Sequence, residues 1–363
     1  MPFPILRTPV VVLSEIISLL EPSEIVTSSF CSKNVRRLLK SHYQRRKLLG
    51  WRLFIKDYTT FAQVYIVKPN SKFQKMAPVI SAEHITKLKG HSSEHFNGYK
   101  RGFSSEYPSR PVPINLKSYL PIPVLYFEDR AMVSETIVSY VTDLLNLDIS
   151  GLLMVNHGIW AIDWIKHRRQ EKMLETLVTR NGSSDSNADE ALDHVLRNAR
   201  AERYILCNEV SENFRFNGKL GPMQYLLTPG CGYWVTVDNL MNFDSINIKI
   251  EGCKLSVSDL NSFLRHWRAG GSHRLTFLDL GFRNDINFEF DEDLEVVETN
   301  EVVEYYLNNQ DFNDGETIEL RDGYSIQRAD GVKARIGWKH MYYHRFLMIV
   351  QHEKEIESTN QLS

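Results

Sequence analysis

The stretch "FPILRTPVVVLSEIISLLEPSEIVTSSFCSKNVRRLLKS", residues 3–41, decides how the start of this chain folds. Pro9 suits a first helical turn, where its missing N–H costs nothing. Val12, Ile16, Leu19 and Leu20 then recur at i, i+4, i+7 and i+8, which is one face of a helix. Pro22 stops that helix and can start the next, and Ser23 and Glu24 suit a helix N-terminus. Ile25, Val26, Ser29 and Phe30 continue the pattern. Ser32 can cap a third helix with Val35, Leu38 and Leu39 on one side and Lys33, Arg36, Arg37 and Lys40 on the other. Three helices of two or three turns bury too little apolar surface to stand alone, so a partner or the rest of the chain must complete them.

At 363 residues the chain has room for two domains. A hydrophobic content of 42% and a charged content of 24% are those of an ordinary folded protein. The net charge of -2 argues against a nucleic-acid-binding protein as a whole. Cys31, Cys207, Cys231 and Cys253 show no CxxC spacing and form no disulfide framework, which points to a reducing compartment. No apolar run approaches the ~20 residues of a membrane span. Glu15 soon interrupts the first run, which argues against a secretory signal and leaves the sequon at Asn181 idle. The expected location is cytoplasmic and/or nuclear.

The opening stretch resembles an F-box, in the form common among nematode F-box proteins. The residues that carry the resemblance are Pro9, then Val12, Leu13, Ile16, Ile17 and Leu20, then Glu24-Ile25-Val26, then Ser29-Phe30-Cys31-Ser32-Lys33. It departs at Thr8, where the family usually has Leu, and lacks the Trp often found near the end of the motif. The resemblance implies binding to a Skp1-type adaptor, and through it to a cullin. Pro9, Val12, Leu13, Ile16, Ile17, Leu20 and Ile25 are the adaptor-binding candidates. The basic cluster Lys33–Lys47 reads as the solvated side of one helix, not as a nucleic-acid or membrane site.

Residues 51–68 have the β-branched and aromatic content of strands. "YPSRPVPINLKSYLPIPVLYF", residues 107–127, carries five prolines and reads as an extended connector. From about residue 148, short apolar strands alternate with helices. Strands are expected at 149–155, 174–179, 203–210, 245–255 and in "RLTFLDLGF". Helices are expected around 162–170, across 188–198, in "WVTVDNLMNF" and in "SVSDLNSFLRHWRAG". With Leu152, Leu177, Leu206, Ile248 and Leu278 as equivalents, the steps are 25, 29, 42 and 30 residues, an imperfect leucine-rich-repeat rhythm. An ordinary α/β domain with parallel strands fits the same pattern.

This region resembles the F-box associated domain of nematode F-box proteins, of the Sdz-33 type. Trp234–Phe243, Ser256–Leu264 with Trp267, and Leu275–Leu280 carry the likeness. So does the ending "YSIQRADGVKARIGW…HRFLMIVQ", with Asp330-Gly331 as a hairpin turn. The expected fold is therefore α+β or α/β: a three-helix F-box, then an irregular leucine-rich-repeat-like β/α domain ending in a β-hairpin. The expected divisions are an F-box at 1–47, a Pro-rich connector and start of the associated domain at 48–140, the repeat-like domain at 141–350 and a flexible tail at 351–363. The implied function is a non-catalytic substrate receptor of a ubiquitin ligase. A repeat-type interaction protein with no ligase link is the alternative.

Strand alternation suggests a client-binding face. If Leu177, Ile248, Ile250, Leu278 and Leu280 point inward, then Arg180, Lys249, Glu251, Phe277 and Asp279 point out, joined by Glu209. Enzyme readings fare poorly. His340 and His344 stand at i, i+4, but Met341 occupies the place of a zincin's catalytic Glu and the segment is strand-like. "GCGYW" lacks the further Gly and the Lys of a phosphate loop, and no G-x-S-x-G occurs. The acidic run "FEFDEDLEVVETNEVVE", residues 288–304, reads as a solvated face, with a basic degron as a conceivable visitor. Cys253 reads as a core residue. No metal, cofactor or catalytic residue is expected.

Overall fold

The computed structural model describes residues 9–45, 50–58, 61–69, 77–84, 94–96, 99–104, 122–127, 130–155, 159–180, 187–282, 288–307, 316–340 and 344–351. The chain divides into two compact units, Met1–Lys172 and Met173–Ser363. Both are mixed α/β. Most of the Pro-rich stretch, the sequon, and the C-terminal tail lie outside the described residues.

The first unit opens with three helices: α1 (Val10–Leu19), α2 (Pro22–Ser29) and α3 (Lys33–Arg45). Pro22 occupies the first turn of α2, and Glu21 and Glu24 form a reciprocal cap around its start. A sheet follows, made of β1 (Arg52–Asp57), β2 (Phe61–Val67), β3 (Ala77–His84), β4 (Glu94–Phe96), β5 (Tyr99–Ser104), β6 (Ile122–Phe127) and β7 (Ile149–Val155). Its order is β7-β1-β2-β3-β6-β5-β4, parallel at β1/β7 and β3/β6 and antiparallel elsewhere. Two further helices are α4 (Arg130–Leu145) and α5 (Trp160–His167). The span 48–140, expected to hold a Pro-rich connector and the start of the associated domain, contributes β1 to β6 and most of α4.

α4 completes the N-terminal helices. α2 packs on β3 and β6, and α3 packs on α4. Tyr140 of α4 is the junction. Its hydroxyl shares a 2.6 Å hydrogen bond with Ser29 Oγ, its ring lies 4.9 Å from that of Phe30, and the Arg36 guanidinium sits 4.4 Å above it. Ile25, Val26 and Phe30 are buried there.

The second unit contains β8 (Thr176–Arg180), α6 (Ala188–Asn198), β9 (Arg203–Cys207), β10 (Leu220–Thr228), α7 (Val237–Asn242), β11 (Phe243–Cys253), α8 (Val257–Arg268) and β12 (Phe277–Phe282). β8 to β12 run parallel in chain order. α8 is defined at both ends. Ser256 Oγ accepts from Asp259 N at 3.1 Å while the Asp259 carboxylate accepts from Ser256 N at 2.8 Å. Gly270, at φ +95°, ends it. Its stripe Leu260, Phe263, Leu264 and Trp267 is buried.

β10 was not expected. It splits the 42-residue step of the repeat reading, so the strand equivalents become Leu177, Tyr204, Leu226, Ile248 and Leu278. The sheet continues with β13 (Val297–Thr299), β16 (Gly323–Gln327), β17 (Lys333–His340) and β18 (His344–Gln351). β18 lies antiparallel to β12, then come β17, β16 and β13. The turn at Asp330-Gly331 joins β16 to β17, with Gly331 at φ +91°. β14 (Val303–Leu307) and β15 (Glu316–Leu320) form a separate two-stranded sheet. Among the described residues, no helix is long and apolar enough to cross a membrane.

Candidate interaction surfaces

The adaptor-binding candidates separate on α1 into two sets. Pro9 is exposed, Val12 is 48% exposed, and Ile16 and Leu20 are half-buried. Leu13 and Ile17, on the adjacent face, are buried within the unit, and Ile25 of α2 is fully buried. Those three are core residues here. The sequence set omitted Leu19, which is 82% exposed. Leu19, Val12, Ile16, Pro9 and Leu20 follow one another around the helix at 100° per residue. They form a continuous apolar arc bordered by exposed Glu15. The helix is held from below by Tyr43, whose hydroxyl donates to Ile17 O at 3.2 Å.

The client-face candidates meet a different fate. The register does bring Arg180, Lys249, Glu251, Phe277 and Asp279 onto one side of the sheet, with Arg180 paired to Cys207, Lys249 to Asp279 and Asn247 to Phe277, whereas Glu209 lies past the end of β9, which stops at Cys207 and not at the expected residue 210. Arg180 and Glu209 are exposed, and Lys249 and Glu251 are half-buried. Phe277, however, is 0% exposed and Asp279 2%. The β14–β15 hairpin lies over this side. Leu307, Ile318 and Leu320 pack with Tyr225, Phe277, Leu347 and Ile349. Tyr305 stacks on Phe277 with centroids 5.1 Å apart, and its hydroxyl bonds Asn247 Oδ1 and Thr276 Oγ1. The outward reading of Phe277 is thereby corrected, because a second layer of chain covers it.

Asp279 is an internal ion-pair partner. Arg345 donates to it from Nε at 2.9 Å and again from Nη2, and Glu251 lies 4.0 Å from the same guanidinium. Burial pushes the Asp279 carboxyl above its ordinary value, against the pull of the Arg345 bonds. Arg335 is another buried cation. It donates from Nη2 to Glu301 O at 2.6 Å and Thr299 O at 3.3 Å, fixing the chain that leads into β14.

The acidic run is partly spoken for. Arg265 of α8 binds Asp291 and Asp293, and Arg268 binds Glu295. Its later members, Glu298, Glu301 and Glu304, are exposed. For the enzyme readings, His340 and His344 pair across an antiparallel hairpin, so the helical i, i+4 geometry does not form. Among the described residues no cluster of His, Cys, Asp or Glu could hold a metal ion. The Cys253 thiol donates to Gly281 O at 3.2 Å, and burial pushes its pKa up to about 12. It is a core group, as its place beside Ile248 and Ile250 suggested.

Residues 9–47 match the family model of the F-box domain. Residues 223–280 match that of the F-box associated family. The F-box associated domain-containing protein sdz-33 of Caenorhabditis elegans is 30% identical over 118 residues, which is 32% of this chain and 36% of the relative. The aligned part thus spans about a third of that relative's length. No solved structure matches the chain. The chain therefore carries both regions that its sequence resembles: the exposed α1 arc falls within the first, and β11, α8 and most of β10 and β12 within the second.

Proposed function

We propose that this protein is a non-catalytic substrate receptor of a Skp1–cullin–F-box type ubiquitin ligase. In this reading, α1 docks the adaptor through Pro9, Val12, Ile16, Leu19 and Leu20, and the second unit holds a protein client. One observation carries it: an apolar arc exposed on the first helix of a segment that matches the F-box domain. Large apolar side chains left in water on one helix face mark an interaction site. The F-box proper is residues 1–47. On the client side, Arg180, Lys249 and Glu251 are the accessible members of the sheet face, and exposed Glu209 follows the end of β9. A cytoplasmic and/or nuclear location follows from the proposed partners. The test is reconstitution of the purified chain with a purified Skp1-type adaptor. Stable co-elution that Ile16→Asp abolishes supports the proposal, and absence of co-elution by the folded wild-type chain sinks it.

The second reading is a repeat-type interaction protein without a ligase link. The chain-order stacking of five parallel strands supports it, since leucine-rich-repeat-like units add strands in that way. Client binding by a chain that ignores every adaptor tested would favour this reading.

A further inference from the structure

The β14–β15 hairpin has two unlike sides. Its inward row, Val303, Tyr305 and Leu307 with Ile318 and Leu320, is committed to the sheet beneath. Strand alternation puts Glu304 and Tyr306 on the other side, opposite Glu319 and Thr317, with Val302 just before the strand. Val302 is 53% exposed and Tyr306 60%. An exposed apolar residue thus stands two positions to each side of Glu304 along the chain.

The charges on this outer side are unbalanced. Glu304 is the direct cross-strand neighbour of Glu319. Like charges so placed repel and destabilise a sheet. Arg321 relieves one of them, donating to Glu319 from Nε at 2.7 Å and from Nη2 at 3.2 Å. Among the described residues Glu304 has no such ion-pair partner. The segment between β14 and β15 supplies none either, because residues 308–315, "NNQDFNDG", contain no Lys or Arg. Exposed Glu298 and Glu301 lie just before the strand.

β14 is also paired along one edge alone among the described residues, with β15 as its strand partner. Unpaired strand edges invite a further strand, and charge on the edge decides which strands are admitted. An edge charged with one sign repels its own kind and accepts the opposite.

We propose that the outer face of this hairpin and the other edge of β14 dock an extended basic segment of a partner protein. A Lys or Arg of that segment lies over Glu304, and its apolar residues cover Val302 and Tyr306. Backbone pairing to β14 supplies affinity, and the alternating side chains supply selection. Only the naming of that partner as the ubiquitylation client rests on the receptor reading above.

The test uses the full chain and a labelled Val–Lys peptide of repeat Val-Ser-Lys-Ser, which sets Val and Lys in turn on one face of a strand, with a Val–Glu peptide of repeat Val-Ser-Glu-Ser as control. Fluorescence anisotropy reads affinity, and hydrogen exchange reads protection of the amides in 303–307. The Val–Lys peptide should bind at low salt, weaken as salt rises, and protect β14. Glu304→Lys and Tyr306→Ser should each weaken binding at least 10-fold, with the melting temperature kept or raised. Failure of the Val–Lys peptide to bind, equal binding of both peptides, or unchanged affinity in both variants overturns the proposal. Adaptor co-elution is measured alongside. Peptide binding without adaptor binding keeps this surface and removes the ligase reading, whereas adaptor binding without peptide binding does the reverse.

Discussion

Leu19 and Leu13 stand six residues apart on one helix, and they should fail in opposite ways. Leu19 is 82% exposed and Leu13 is 5% exposed. If the adaptor covers the exposed arc, Leu19→Ala removes three buried carbons at about 0.8 kcal/mol each, some 2.4 kcal/mol at most. At about 1.4 kcal/mol per tenfold, adaptor affinity should drop about 10–50-fold. Val12 is only 48% exposed. Its two carbons can therefore yield about half their full value, and Val12→Ala should weaken binding about 4-fold. Neither change empties the unit's own core, so thermal unfolding should stay put. Leu13→Ala leaves a core cavity costing about 2–5 kcal/mol. For a unit of this size that is roughly 4–20 °C in melting temperature. The folded fraction of that variant should still bind. The assay is isothermal titration against a purified Skp1-type adaptor beside thermal melts followed by circular dichroism. Wild-type affinity in Leu19→Ala, together with lost affinity at an unchanged melt in Leu13→Ala, would place the contact on the other side of the helix and refute the reasoning.

Further outcomes follow from the interior. Arg345→Met strands the buried Asp279 carboxylate and should cost about 3–5 kcal/mol in urea melts, most of it recovered when Asp279→Leu is added; a loss below about 1 kcal/mol would show that the pair is not buried as described. Deleting residues 1–45 uncovers Tyr140 and its neighbours on α4, so that truncation should be insoluble or bind a hydrophobic dye, and a soluble, cooperatively melting product would show that the helices are separable. Native alkylation should modify exposed Cys31 first and leave Cys253 untouched, since burial holds its pKa at about 12; mass spectrometry of the labelled peptides gives the order.

Helices with caps and periodicity were readable from sequence. α6 spans the expected 188–198, and α8 begins at the Ser256/Asp259 cap and stops at Gly270. Strands flanked by such helices were readable too, as β11 and β12 show. β10 was hidden because Gly221 and Pro222 break its pattern, and Pro within a run argues against a strand. α4 has Val133, Ile137, Val141 and Leu144 at helical spacing, but it straddles the expected division at residue 140. The hairpin did leave a signal: "VEYYL" and "TIEL" alternate on either side of Asp314-Gly315. Periodicity could show that one side of β11 and β12 differs from the other. It could not show that a later segment covers the polar-looking side, because that contact is made between residues far apart in sequence. The same limit applies to α1, where spacing finds a face but not which half of it the rest of the unit claims.

The bond between Ser29 and Tyr140 joins residues 111 apart in the chain. During synthesis at about 5–20 residues per second, roughly 5–20 s separate their appearance. Through that interval Ile25, Val26 and Phe30 have no α4 to rest against. Helices α1 to α3 therefore wait for α4 to be finished, and the ribosome-bound chain carries them uncovered while β1 to β6 emerge behind them. Holdase chaperones, which bind exposed apolar segments, have access to these helices through that interval. A stalled or shortened chain ending before residue 130 would keep those helices unfinished and mark itself for disposal.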